Sequence, residues 1–284
     1  MPTSAHAHPQ DRRPDRPRPR IALFTLESAL SGEAVAAFVR GCRSAEVVLV
    51  GRSAPVRPDT GGTAAQALGH LRRSGPRLLP YLAINYALPR WTSRAGRGEL
   101  AASAAARGTP VLTVRDVNGP EVAAAIRNAA PDLLVSFHFD QIFAPATLAL
   151  APRGGINVHP SLLPRHRGPV PTLWALAEDR PAFGVTVHRL APRIDAGPIL
   201  AQREVPLPEG TTASAAARRL HGEGAALLGR VLADMAEGRD EPREAAPLPY
   251  CPFPSPAMLR GLARRGRRTV DLADLRAALR VRVG

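Results

Sequence analysis

Asn157 and His159 are the residues whose types and spacing most directly suit chemistry. They stand two apart in a short apolar run, Ile156-Asn157-Val158-His159, which stops against Pro160. In an extended strand, side chains at i and i+2 share a face. The amide and the imidazole therefore project together, while Ile156 and Val158 turn to the buried side. Pro160 cannot donate to a sheet ladder, and Pro164, Pro169 and Pro171 keep the following backbone out of regular structure. An amide donor and a group titrating near neutrality, side by side where a strand opens into a stiff loop, suit holding a carbonyl oxygen and moving a proton. The pair alone fits a half-buried strand-to-loop turn equally well.

The elements that must position this pair follow from hydrophobic period. Ile21 to Thr25, Val47 to Val50, Pro110 to Val114 and Asp132 to Ser136 are short apolar runs of the kind buried in parallel sheets. Between them, Glu33 to Val39, Glu99 to Ala106 and Glu121 to Ala129 have helical spacing. Gly184 to Leu190 and Ile199 to Val205 alternate toward strands. Thr212 opens a long helix with Ala216, Leu220, Leu227, Leu228 and Val231 on one stripe. Strands alternating with helices predict an α/β chain: a Rossmann-like open, mostly parallel sheet flanked by helices, with a short C-terminal extension. In such sheets ligands sit at the carboxyl ends of the strands. The segment Leu26 to Gly32 holds one glycine, so it lacks the Gly-x-Gly-x-x-Gly of a dinucleotide site. Residues 53–98 are less regular and read as a helical insertion carrying the aromatics Tyr81, Tyr86 and Trp91.

The length of 284 residues suits one large α/β domain with an appendage, or two small domains. No run of about 18 apolar residues is present, so no membrane span is expected. Met1 to Arg20, rich in Pro and Arg, reads as a disordered tail rather than a secretory signal. Two cysteines, Cys42 and Cys251, supply neither a disulfide framework nor a four-ligand metal site, and a reducing cytoplasm is the simplest compartment. His138, His159, His166 and His188 match no metal-ligand spacing, and no metal is expected. His188 reads as a hydrogen-bonded core residue and His166 as solvated. The formal charge is +14, with five Arg against two Asp in residues 1–20 and eight Arg against two Asp in residues 251–284. No Lys is present. Charge gathered at the ends, in an Arg-, Ala-, Gly- and Pro-rich chain, does not point to a specific nucleic-acid partner.

The stretch Asn157-Val-His159-Pro-Ser161-Leu-Leu-Pro164, followed by Arg167-Gly168, Pro171 and Trp174-Ala175, resembles the core motif of the folate-dependent formyltransferases. Gly184-Val-Thr186-Val-His188 and Ile194-Asp195-Ala-Gly197-Pro-Ile199-Leu resemble that family's second block, in the same order. The resemblance runs from about Ile21 to Ala236 and is closest from Asp132 to Gln202. It implies catalytic roles for Asn157, His159 and Asp195, with 10-formyltetrahydrofolate as co-substrate. It implies that Phe139, Asp140, Gln141, Ile142 and Phe143, with Arg193 and Ile194, form the folate pocket. Acceptor contacts are assigned to Ser161 and Arg167, and from the insertion to Tyr81, Tyr86 and Trp91. The corresponding organisation is a tail (1–20), a formyltransferase catalytic domain (21–236) and a Pro/Arg-rich linker with a short helical extension (237–284). About 48 residues after Ala236 are marginal for the second domain of methionyl-tRNA formyltransferases. The expected reaction is formyl transfer to a primary amine or hydroxylamine of a small molecule, such as an amino sugar, a hydroxylated amino acid or a natural-product precursor. The alternatives are methionyl-tRNA formylation and a catalytically inactive folate-binding protein. The resemblance leaves the oligomeric state open.

Overall fold

A computed structural model describes residues 18–54, 62–93 and 98–284. Seven strands form one sheet in the order β3-β2-β1-β4-β5-β6-β7. They are β1 (Arg20–Thr25), β2 (Glu46–Ser53), β3 (Val111–Val114), β4 (Leu133–Phe137), β5 (Gly155–His159), β6 (Gly184–Arg189) and β7 (Ile199–Glu204). Strands β1 to β5 run parallel, and β6 and β7 are antiparallel additions at one edge. This is the α/β, mostly parallel architecture that the alternation of apolar runs implied.

Helices pack on both faces. Helix α1 (Gly32–Gly41) and α5 (Glu99–Ala105) share one face with α9 (Ala213–Glu237), whose stripe Leu227, Leu228 and Val231 is buried against Ile156, Val158, Val185 and Val187. Thr212 caps α9 by accepting from the Ala215 N–H at 3.0 Å, which satisfies one of the orphan donors at a helix start. On the other face α6 (Pro120–Ala129) buries Val122 and Ile126 against Ala22, Leu49 and Leu134, and the short α7 (Pro145–Leu148) adds Leu148 to the same cluster. Between β2 and α5 lies α2 (Gly62–Ser74). A helical run follows it, from Pro76 through α3 (Leu79–Leu82) and a π turn (Ala83–Ala87) to α4 (Leu88–Thr92).

Residues 1–17 of the expected tail lie outside the described residues. Its last member, Arg20, opens β1: the Arg20 N–H donates to Asp132 Oδ2 at 2.7 Å, and the guanidinium reaches the carbonyls of Ala129 and Ala130. The C-terminal segment returns to the body of the molecule. Residues Ile199 and Arg243 exchange backbone hydrogen bonds at 2.8 Å. Helix α10 (Pro256–Arg264) inserts Leu259 and Leu262 beside α8 (Pro171–Ala177) and α9. Helix α11 (Leu272–Arg280), with Val281 and Val283, closes a small cluster on Ala29, Ile84 and Leu88. Amphipathic spacing in both helices gives each an apolar face to bury.

Candidate active site

Strand β5 lies between parallel β4 and antiparallel β6, so its carboxyl end is deep in the sheet. Ile156 and Val158 are fully buried in the core, and the opposite parity carries Asn157 and His159 together, as period two requires. Across the antiparallel pair Asn157 stands opposite His188 of β6. The third residue, Asp195, comes from the turn between β6 and β7. It adopts a left-handed φ of 48°, which a short polar side chain tolerates better than a bulky one. That turn crosses β6 so closely that a Cβ on Gly197 would overlap the Arg189 carbonyl, which requires glycine there.

The side chains form one connected set. Asn157 Nδ2 lies 3.1 Å from His188 Nε2 and donates to Asp195 Oδ1 at 3.3 Å. An ionised carboxylate only accepts, so the Asn157 amide nitrogen must face Asp195. His188 Nδ1 donates to the Arg189 carbonyl at 2.8 Å, which turns Nε2 toward the Asn157 amide. The Gly168 N–H donates to Asp195 Oδ2 at 2.9 Å, and His159 Nδ1 stands 3.7 Å from the same oxygen. His159 Nε2 is 3.1 Å from the His166 carbonyl, so the neutral ring carries its proton on Nε2 and keeps the Nδ1 lone pair free.

Charge follows from this geometry. Burial pushes the His159 imidazole below its usual value, partly offset by the Asp195 carboxylate, which raises it. Burial pushes Asp195 up, but the His159 and His188 imidazoles beside it, with the Gly168 hydrogen bond, outweigh it and bring the carboxyl down to about 2. Near neutrality the pair is thus a carboxylate beside an unprotonated imidazole. If His159 must be unprotonated for turnover, the acid limb of kcat/KM against pH should lie below the ordinary imidazole value of 6.5. Because the carboxylate raises His159, Asp195→Asn should move that limb to lower pH. A limb at or above 6.5, or one moving upward in the variant, would contradict this charge assignment.

The loop after β5 is held from several sides. The Leu163 N–H donates to Thr186 Oγ1 at 3.1 Å, and Gln202 Nε2 donates to the Leu163 carbonyl at 2.8 Å. Ser161, expected to meet the acceptor, is buried and donates to the Arg165 carbonyl at 2.8 Å, so it makes a loop contact instead. Arg167, expected in the same role, is buried, with its guanidinium on the carbonyls of Ile194, Asp195 and Leu248. His166, expected to be solvated, is buried because Glu178 Oε1 stands 2.9 Å from its Nε2.

The residues after β4 divide. Ile142 (63% exposed) and Ile194 (37% exposed) are large apolar side chains left open to solvent. Phe139 is half-buried and Asp140 and Arg193 are exposed. Phe143 is buried edge-on against Phe24, with ring centroids 5.1 Å apart, and belongs to the core. The Gln141 side chain accepts from the Val117 N–H at 2.8 Å and donates toward Ser53 and Val114, so it anchors the loop. Of the three aromatics of the helical run, Tyr81 is fully buried with Leu173, Leu220 and Leu259, and Trp91 is 69% exposed. Tyr81 is thus sealed in the core, and Trp91 lines a groove with Ile84, Leu88 and Leu275. Tyr86 alone turns to the strand ends, its hydroxyl 3.4 Å from His138 Nε2. Burial takes His138 down to about 4, so that imidazole is neutral, and Ser31 Oγ meets its Nδ1 at 2.6 Å.

Sequence reasoning missed His188 and the Gly168 N–H as parts of the set. Finding His188 needed the β5–β6 register, which no spacing within one strand supplies. Among the described residues, no three His, Cys, Asp or Glu side chains converge as a metal-holding group.

The formyl transferase family model matches residues 92–232, a segment holding Asn157, His159, His188 and Asp195. A methionyl-tRNA formyltransferase of Chloroflexus aggregans (strain MD-66 / DSM 9485) is 40% identical over 141 residues, which are 50% of this chain and 46% of that protein. The chain therefore spans about half the length of that curated relative. Glycinamide ribonucleotide transformylase 1 from Symbiobacterium toebii superposes with a TM-score of 0.56 at 22% identity, covering 81% of this chain and 95% of that one. A sugar N-formyltransferase from Shewanella sp FDAARGOS_354 superposes with a TM-score of 0.53 at 18% identity, over 92% of this chain and 86% of that one. At these identities the likeness is one of fold.

Proposed function

The chain belongs to the formyl transferase family by its residues 92–232, and from that premise we propose that it moves a formyl group from 10-formyltetrahydrofolate to a primary amine or hydroxylamine of a small molecule. The observation that carries this reading is the buried set in which Asn157, His159 and Asp195 meet at the carboxyl end of β5. A protein that only bound folate would not require a base and a carboxylate beside an amide donor.

The donor, when bound, supplies an activated one-carbon group bearing a carbonyl oxygen. Asn157 can release its longer bond to Asp195 and donate that N–H to the oxygen as negative charge develops there. His159 can take the proton of the attacking amine at Nδ1, the ring nitrogen left free by the His166 carbonyl. Asp195 then pairs with the imidazolium so formed, while the Gly168 N–H keeps Oδ2 in place. Proton return to the departing folate nitrogen falls to the same pair. The segment after β4 fits a flat heteroaromatic ring: Ile142 is exposed apolar surface, as is Ile194 in the β6–β7 turn, and the N–H groups of Ile142 and Phe143 donate to no acceptor among the described residues. On the acceptor side Tyr86 is the contact from the helical run that we retain. No described helix is long and apolar enough to cross a membrane. Free Cys42 and Cys251 lead us to the cytoplasm as the compartment.

A panel of amino sugars, hydroxylated amino acids and hydroxylamines, incubated with 10-formyltetrahydrofolate, tests the proposal through amine-dependent release of tetrahydrofolate. Release with none of them would count against a small acceptor. The second reading, methionyl-tRNA formylation, is favoured by the Chloroflexus relative. Binding through six to ten phosphates should weaken by about 10³–10⁵ between 50 and 200 mM salt. The C-terminal arginines are poorly placed for that. Of the eight arginines in 251–284, Arg265 and Arg267 donate to carbonyls between Leu176 and Asp179, Arg282 donates to the Thr92 carbonyl, and Arg268 pairs with Asp271. We therefore expect a nearly flat salt dependence and no formylation of charged initiator tRNA. Rapid formylation of that tRNA at physiological salt would replace the acceptor and leave the chemistry standing.

A further inference from the structure

Arg167 holds a position that the proposed reaction does not explain. Among the described residues its side chain is the largest that is fully buried, at 2% exposure. A guanidinium removed from water costs several kcal/mol unless its N–H groups are met. Here they are met by carbonyls rather than by a carboxylate. Nε donates to the carbonyls of Ile194 (3.0 Å) and Asp195 (3.1 Å), one Nη also reaches Ile194, and the other donates to Leu248 at 2.7 Å. An apolar side chain could fill the same volume without that cost, but it could not gather three carbonyls from two distant stretches of chain.

Those carbonyls lie where the chemistry would feel a shift. Ile194 and Asp195 bracket the left-handed turn at φ 48° that presents the Asp195 carboxylate. The next residue after Arg167 donates its N–H to Asp195 Oδ2 at 2.9 Å. Two consecutive residues thus grip one aspartate, the first by its backbone and the second by its carboxylate. The Arg167 carbonyl in turn accepts from the Cys251 N–H at 2.7 Å, so the segment 248–251 closes over the same corner. We propose that Arg167 is a positioning residue, fixing the Asp195 turn through the carbonyls of Ile194 and Asp195 so that the carboxylate faces His159 and Asn157. The proposal rests on the formyl-transfer reading for its effect on rate, but not for its effect on Asp195.

Arg167→Lys tests it, because one ammonium cannot reproduce a planar fork reaching carbonyls in two directions. A displacement of the carboxylate by about 1 Å should lower kcat about 10²-fold, with KM for 10-formyltetrahydrofolate nearly unchanged. In the same variant, NMR titration of His159 should give a lower pKa, because the carboxylate that raises it has moved. In Arg167→Ala, added guanidinium should restore part of both quantities. A folded Arg167→Lys protein with wild-type kcat and wild-type His159 titration overturns the proposal. So does guanidinium that restores the fold of Arg167→Ala without restoring either quantity. If the wild-type enzyme transfers no formyl group to any amine, the functional reading falls, and the His159 titration still decides the role of Arg167.

Discussion

Asp195→Asn should lower kcat by at least about two decades while the protein stays folded and still binds 10-formyltetrahydrofolate. Asparagine keeps the shape of the side chain, and its oxygen can still accept from the Gly168 N–H that holds Oδ2. What it removes is the charge that would pair with a protonated His159. Asn157→Ala removes the donor to the developing oxyanion, a contact typically worth about 3–4 kcal/mol, or 10²–10³ in rate. His159→Ala, which removes the proton acceptor, should also cost at least about two decades. Residues acting as one unit are strongly non-additive, so Asn157→Ala combined with Asp195→Asn should cost little more than the worse single change. Steady-state kinetics with calorimetric titration of the donor checks all of these. Wild-type turnover in Asp195→Asn would remove the carboxylate from the mechanism.

Gly168→Ala should damage stability and turnover together. Gly168 has φ 128°, a region that residues with a side chain avoid, and a Cβ there would overlap the Cys251 carbonyl. The obstacle is backbone, so relief requires the 248–251 segment or the loop after β5 to move. Overpacking of this kind costs about 1–3 kcal/mol, and each kcal/mol lowers Tm by about 2–4 °C in a chain near this size. The same movement carries the Gly168 N–H away from Asp195, so kcat should fall as well. Gly222→Ala is the control. Gly222 lies on the exposed side of α9 with nothing within 4 Å of an added Cβ, and alanine should stabilise that helix by about 0.5–1 kcal/mol without touching turnover. Thermal unfolding and kcat measured on both proteins check the contrast. An active, unshifted Gly168→Ala protein would show that the corner is soft.

The sheet was legible because buried parallel strands are short apolar runs, and β1, β2 and β4 read that way without help from tertiary structure. Thr212 and the stripe Ala216, Leu220, Leu227, Leu228 and Val231 likewise announced α9, since a cap followed by period 3.6 leaves few alternatives. Asn157 and His159 were legible as a pair because period two is a property of one strand. His188 was not, because its closeness to Asn157 depends on the antiparallel register of β5 and β6. Tyr81, Tyr86 and Trp91 looked equivalent in sequence, yet a π turn at Ala83–Ala87 separates them and sends them to the core, the strand ends and solvent. Arginine near a reactive loop suggests substrate, and nothing in the chain foretold that Arg167 would be sealed under it.

The most direct test of the account follows an isotopic label on the formyl group of 10-formyltetrahydrofolate in a single turnover with an accepted amine. One equivalent of label should appear in the N-formyl product for each tetrahydrofolate released, with both falling together in Asn157→Ala. Label recovered as free formate at the same rate with and without amine would contradict it.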